Sequence, residues 1–123
     1  MRYVAHVMVA FLDDAKAQTV FEVWESTLVF EACSHGQALR QALSDSRTMF
    51  DDPENWRALG YPEKPRHYAV RWLQDETDLP TMKASCDSGF VILTMIGTFD
   101  ETQMDEIMSF KEVLVPYRIM YTD

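Results

Sequence analysis

The chain predicts an α+β fold: a mostly antiparallel sheet of about five strands, in the order β-β-α-β-β-α-β, with two helices packed on one face. Three observations carry this. Residues 3–12 and 19–32 are rich in Val, Phe, Tyr and Trp and are separated by the polar stretch DDAKAQ, as two long strands of a hairpin would be. Two capping signatures, at Ser34 and at Asp100, each precede apolar residues at helical spacing. The length of 123 residues, with 47% hydrophobic and 25% charged, suits one packed domain spanning 1–123.

Each element has its own warrant. In the second strand Phe21, Val23, Thr27 and Val29 share one parity while Val20, Trp24, Leu28 and Phe30 share the other. Apolar groups on both faces predict a central strand with cover on each side. Ser34-His35-Gly36-Gln37 has the form of a capping box, in which the Ser34 hydroxyl accepts from the Gln37 amide and the Gln37 side chain reaches back. Ala38, Leu39, Ala42 and Leu43 then predict a helix over 35–48, with Arg40 and Arg47 on its outer side. Asp52 before Pro53 predicts a cap with proline at the first helical position, then a short turn of helix to Leu59 that Gly60 ends.

Residues 66–74 alternate as a third strand, and 89–98, GFVILTMIGT, read as a buried central one. Asp100 and Gln103 form the second cap, with Phe99 and Met104 spaced as a hydrophobic staple, so a helix runs to about Phe110. A last strand over 112–121 contains Pro116, which marks an edge or a bulge. Without the first strand the order is βαββαβ, which predicts a ferredoxin-like sheet carrying an extra N-terminal strand.

Charge bounds the partners. Twenty acids against 11 bases give a net charge of −9. Direct nucleic-acid binding needs clustered Lys and Arg and is not expected, nor is attraction to an anionic membrane. A basic protein partner is favoured by the same field. The apolar start, MRYVAHVMVAFLDD, lacks a small-residue cleavage site and runs straight into acids, so it reads as a strand; no window reaches a membrane span. Two cysteines, Cys33 and Cys86, make no Cys-x-x-Cys pair and are expected as free thiols. These features predict a soluble, cytoplasmic protein.

The chemistry-bearing residues do not assemble into a motif. His6, His35 and His67 lack the short spacing of a metal pair, so no metal and no cofactor are expected. The four glycines, at 36, 60, 89 and 97, write neither a phosphate loop nor a dinucleotide fingerprint. Cys33, just before a helix and two residues from His35, is the best nucleophile candidate, because a thiolate there has a lowered pKa. Adjacent residues rarely give a nucleophile both its base and an orienting group, however, and a small residue filling the junction is the simpler role. Glu22, Glu25 and Glu31 lie on the second strand, Glu25 and Glu31 on one face and Glu22 on the other. A carboxylate facing the core must be paired, and Arg71 or Arg118 is the expected partner from a neighbouring strand. The chain is therefore read as no enzyme.

Acidic clusters remain, among them Asp51-Asp52-Glu54 and Asp100-Glu101-Asp105-Glu106. Glu101 and Asp105 are like charges at i and i+4, which cost a helix a few tenths of a kcal/mol. A solvated face explains them, and so does a docking face for a cationic partner. Trp56 and Tyr61 supply either hydrophobic anchors beside such charges or pins that hold a long loop to the core.

The stretch from the first strand through the first helix, with Trp24-Glu25, then Leu28-Val29-Phe30-Glu31-Ala32, Gln37-Ala38 and Ala42, resembles the bacterial family called domain of unknown function 4288. The likeness covers about a third of the chain and implies no catalytic residue. In style the chain also resembles small acidic immunity and inhibitor proteins. The expected function is an immunity or inhibitor protein binding a basic protein such as a toxin or effector. Asp100, Glu101, Asp105, Glu106, Asp51, Asp52, Glu54 and Trp56 are the expected contacts. The alternative is a dimeric small-molecule-binding or regulatory module without catalysis.

Overall fold

The computed structural model describes residues 1–13, 20–75, 91–109 and 121–122. In chain order these form β1 (Arg2–Asp13), β2 (Val20–Glu31), α1 (His35–Asp51), α2 (Pro53–Arg57), β3 (His67–Asp75), β4 (Val91–Asp100), α3 (Glu101–Met108) and β5 (Tyr121–Thr122). The sheet is antiparallel throughout, in the order β4-β2-β1-β3-β5. Four strands carry it; β5 adds two residues beside Ala69 and Val70. The rest of the strand expected at 112–121, with Pro116 and Arg118, lies outside the described residues, as does Cys86.

The class is α+β as expected, but the arrangement is not ferredoxin-like. Such a sheet would set β3 beside β4. Instead β1 takes the centre, with β2 on one side and β3 on the other, and β4 pairs with β2. The apolar run read as a buried central strand is thus the outer strand of the order, with Thr94, Met95 and Thr98 exposed. The centre goes to β1 because its residues are buried on both parities, from Val4 and Ala5 through Phe11 and Leu12.

That two-sided pattern also decides where the helices go. Odd residues of β1, from Tyr3 to Phe11, join Leu28, Phe30 and the α1 residues Ala38, Ala42, Leu43 and Phe50 in one core. Even residues Met8, Ala10 and Leu12 join Phe21, Val23 and Phe99 with Met104 and Ile107 of α3 in a second. The helices therefore cover opposite faces, not one face as expected. Strand side chains alternate in direction, so a helix on one side alone would leave the other apolar row in water.

The caps stand largely as read. The Ser34 hydroxyl accepts from the Gln37 amide at 3.1 Å, but Gln37 Oε1 accepts from the Cys33 amide, at 2.6 Å, and not from Ser34. The second box is complete: the Gln103 amide donates to Asp100 Oδ1 at 2.8 Å and the Asp100 amide donates to Gln103 Oε1 at 3.0 Å. Phe99 and Met104 are both buried, as a staple requires. Asp52 caps α2 ahead of Pro53, and Gly60 takes a φ of 90°, a conformation that favours glycine. Helix α1 runs a turn longer than its apolar spacing indicated, to Asp51, because Phe50 is buried against Phe11 with ring centroids 5.5 Å apart.

Ser46 is wholly buried on α1, and its Oγ has no hydrogen-bond partner. An orphaned buried hydroxyl forfeits its hydration without return. Ser46→Ala is expected to stabilise the fold by about 1 kcal/mol, read as a higher denaturation midpoint at unchanged slope.

Candidate functional site

The acidic residues sit where the strand ends deliver them. Asp100 closes β4 opposite Val20, the first residue of β2, so α3 begins at the end of the sheet where β1 finishes. Asp51, Asp52 and Glu54 follow Phe50, which packs over Phe11 near that same end. Both groups thus gather at one end of the sheet. They lie on opposite faces, α1 and α2 on one and α3 on the other, and form two acidic shoulders and not one patch.

Their individual roles differ. Asp100 and Asp52 are spent as helix caps, Asp52 accepting from the Glu54 amide at 3.0 Å. Asp51 is 3.9 Å from Lys64 Nζ. Glu101 and Asp105 are exposed and Glu106 is half-buried; among the described residues no ion pair reaches any of the three. Trp56 is partly buried against the α1 core, with the Arg57 guanidinium 5.1 Å from its ring centroid. It fixes α2 to the core.

Tyr61 pins the following loop. Its ring stacks on Phe11 at 4.0 Å, its hydroxyl donates to Glu22 Oε2 at 2.7 Å, and Trp24 Nε1 donates to that hydroxyl at 2.8 Å. Glu22 is thereby satisfied on the α1 face.

Glu25 lies on the other face, and Arg71 is its partner as expected, although it reaches Glu25 across β1 from β3 and not from a neighbouring strand. Arg71 Nε donates to Glu25 Oε2 at 2.5 Å, and His6 Nδ1 is 3.1 Å from Oε1. Thr27 Oγ1, across from His6, is 3.4 Å from the same ring nitrogen. The β1–β3 register shifts between His6 and Val7, leaving Arg71 the unpaired extra residue of a bulge. All three partners are mostly buried, with 14%, 19% and 23% of the Glu25, Arg71 and His6 side chains exposed. Burial pushes the Glu25 carboxyl up, but the His6 and Arg71 hydrogen bonds and the Arg71 charge outweigh it and hold it at about 2. A carboxylate so held stays ionised and cannot serve as a proton donor or acceptor near neutral pH. The cluster joins β1, β2 and β3.

A second assembly was not legible in the sequence. Arg47 of α1, Arg66, His67 and Tyr68 at the start of β3, and Met108 of α3 line a cavity of about 230 Å³. The Arg47 guanidinium sits 5.5 Å from the Tyr68 ring centroid, and Arg66 pairs with Glu63 at 3.0 Å. Burial lowers the His67 pKa, and Arg66 adds to that against Asp105. Burial likewise pushes Tyr68 up to about 12, with Asp51 reinforcing it against Arg47. The lining is spread over the chain from Arg47 to Met108, so no local spacing announced it.

Cys33 is a free, exposed thiol. His35 meets the Tyr3 ring edge-on, centroids 6.2 Å apart. Among the described residues no three His, Cys, Asp or Glu side chains converge as a metal set, and no helix is long and apolar enough to cross a membrane. Compared with family models, curated proteins and solved structures, the chain matches none.

Proposed function

We propose that the protein is a small cytoplasmic interaction protein of the immunity or inhibitor kind, binding a basic protein partner through the acidic end of its sheet. One observation carries the reading. Helix α3 buries Met104 and Ile107 and turns Glu101 and Asp105 to solvent, with Glu106 beside them, and no described cation offsets these three. Like charges at i and i+4 on so short a helix cost it stability. A partner's Lys and Arg would relieve that repulsion and be steered by the field of a chain at −9. The α2 shoulder, with Asp51, Asp52 and Glu54, widens the same acidic end.

Charge reversal tests this. Glu101→Lys, Asp105→Lys and Glu106→Lys together leave the Asp100 cap in place. The triple variant is expected to lose about tenfold or more in partner affinity, mostly through the association rate, and to flatten its salt dependence. Equal affinity and an equal salt slope would remove α3 from the interface.

The alternative, a dimeric ligand-binding or regulatory module, is favoured by β4. It is the outer strand of the sheet order, and its Met95 is 42% exposed. An exposed apolar side chain on the sheet offers a second copy a hydrophobic contact. A monomer by light scattering at high protein concentration would exclude the homodimer.

A further inference from the structure

Independently of any protein partner, we infer that the cavity between α1, the start of β3 and the end of α3 binds a small organic oxyanion. The chain carries nearly twice as many acids as bases, yet two arginines, Arg47 and Arg66, line this one cavity beside His67, whose burial favours the neutral ring. They arrive from separate elements. Helix α1 brings Arg47, the turn entering β3 brings Arg66, and β3 itself brings His67. Arginine is the side chain best suited to hold a carboxylate or phosphate, because its planar fork matches two oxygens at once.

The rest of the lining defines the ligand's body. Tyr68 gives an aromatic wall, held by Arg47 across its ring, and Met108 gives an adaptable apolar one. A volume of about 230 Å³ is below the roughly 300–1,000 Å³ of sites for drug-sized molecules. The ligand is then a small acid with a flat or apolar portion, and not a nucleotide.

Arg66 already holds one carboxylate, that of Glu63, through a single oxygen. Glu63 Oε1 accepts from both Nε and an Nη of Arg66, at 3.3 and 3.0 Å. That pair is about half exposed on both sides, so exchanging Glu63 for a ligand oxyanion forfeits little. Asp105 and Asp51 stand near His67 and Tyr68 and disfavour a highly charged ligand. A monoanion suits the site better than a polyanion.

The test is titration of the whole chain with benzoate, phenyl phosphate and inorganic phosphate, followed by the NMR signals of the His67 ring and the Met108 methyl group. Saturable shifts at both residues with benzoate or phenyl phosphate are expected, and the tighter of the two identifies the headgroup. Arg47→Gln and Arg66→Gln should each weaken binding about tenfold, while Arg66→Lys should retain part of it. Circular dichroism of each variant separates lost binding from lost fold. Absence of saturation at millimolar ligand would overturn the inference, and so would binding that both Gln variants leave unchanged. Shifts with inorganic phosphate as strong as with the organic acids would show an adventitious ion only and overturn it equally.

Discussion

Arg71→Met is expected to destabilise the protein by about 3 kcal/mol, at the lower end of what breaking a buried ion pair costs. Among the described residues the Arg71 guanidinium is the one full cation on Glu25, and its side chain is only 19% exposed. Removing it leaves a carboxylate, itself 14% exposed, with His6 beside it as its remaining partner among the described residues. The methionine preserves much of the aliphatic stem that packs along the sheet, so the loss reports the charge and not a cavity. The pair's net worth is a separate matter. Replacing both members, as Arg71→Met with Glu25→Leu, removes the charge that would otherwise be stranded. The double variant is expected to recover most of the stability, because desolvation of a buried pair offsets most of its attraction. Urea denaturation of wild type, both single variants and the double variant gives the coupling directly. A single Arg71→Met variant as stable as wild type would mean that the cluster holds nothing together.

Acid should remove the same contribution. The Glu25 carboxyl is held at about 2 in the folded chain against an ordinary 4.5. A group whose folded pKa is depressed contributes stability that is present above its unfolded pKa and is lost as pH falls through the folded one. The window is therefore from about pH 4.5 down to about pH 2. The size is about 2–3 kcal/mol once solvent screening of the partly exposed cluster is allowed for. The chain's other acids titrate in the same range, so the quantity to measure is the difference between wild type and the Arg71→Met, Glu25→Leu double variant. That difference is expected to move against the wild type by this amount between about pH 5 and about pH 2. Parallel pH profiles would show that Glu25 is not held down.

What was legible in the sequence, and what was not, follows from the range of the physics involved. Caps are local: Ser34, Asp52 and Asp100 each satisfy amides within three residues, and all were readable. The two-faced pattern of Val20–Phe30 was equally readable, since parity depends on neighbours alone. Glu25 required a basic partner for a reason of solvation, and Arg71 was one of the two arginines expected to supply it. The order of the strands was not readable. The pattern of β4 does not say whether β2 or β3 lies beside it, and an apolar run such as Val91–Phe99 suits an outer strand or an inner one. The sidedness of the helices is implicit in the two apolar rows of β1, whereas the element order βαββαβ carries no such information. The Arg47, Arg66 and His67 cavity depends on a tertiary contact between α1 and β3, so those residues looked like unrelated surface groups.

The acidic shoulders open at one end of the sheet, with Asp52 and Asp100 spent on caps and Glu101, Asp105 and Glu106 without an ion pair among the described residues. The binding energy is accordingly expected from α3 more than from α2, where Lys64 and Arg57 already lie close by.

The most direct measurement of the central claim is a side-by-side capture from the native cell, using tagged wild type and the Glu101→Lys, Asp105→Lys, Glu106→Lys variant at low and then moderate salt. The predicted result is one stoichiometric basic protein held by the wild type, released as salt rises and not held by the variant, with purified components then binding one to one. The same protein captured equally by both, or nothing stoichiometric captured by the wild type at low salt, would contradict the account.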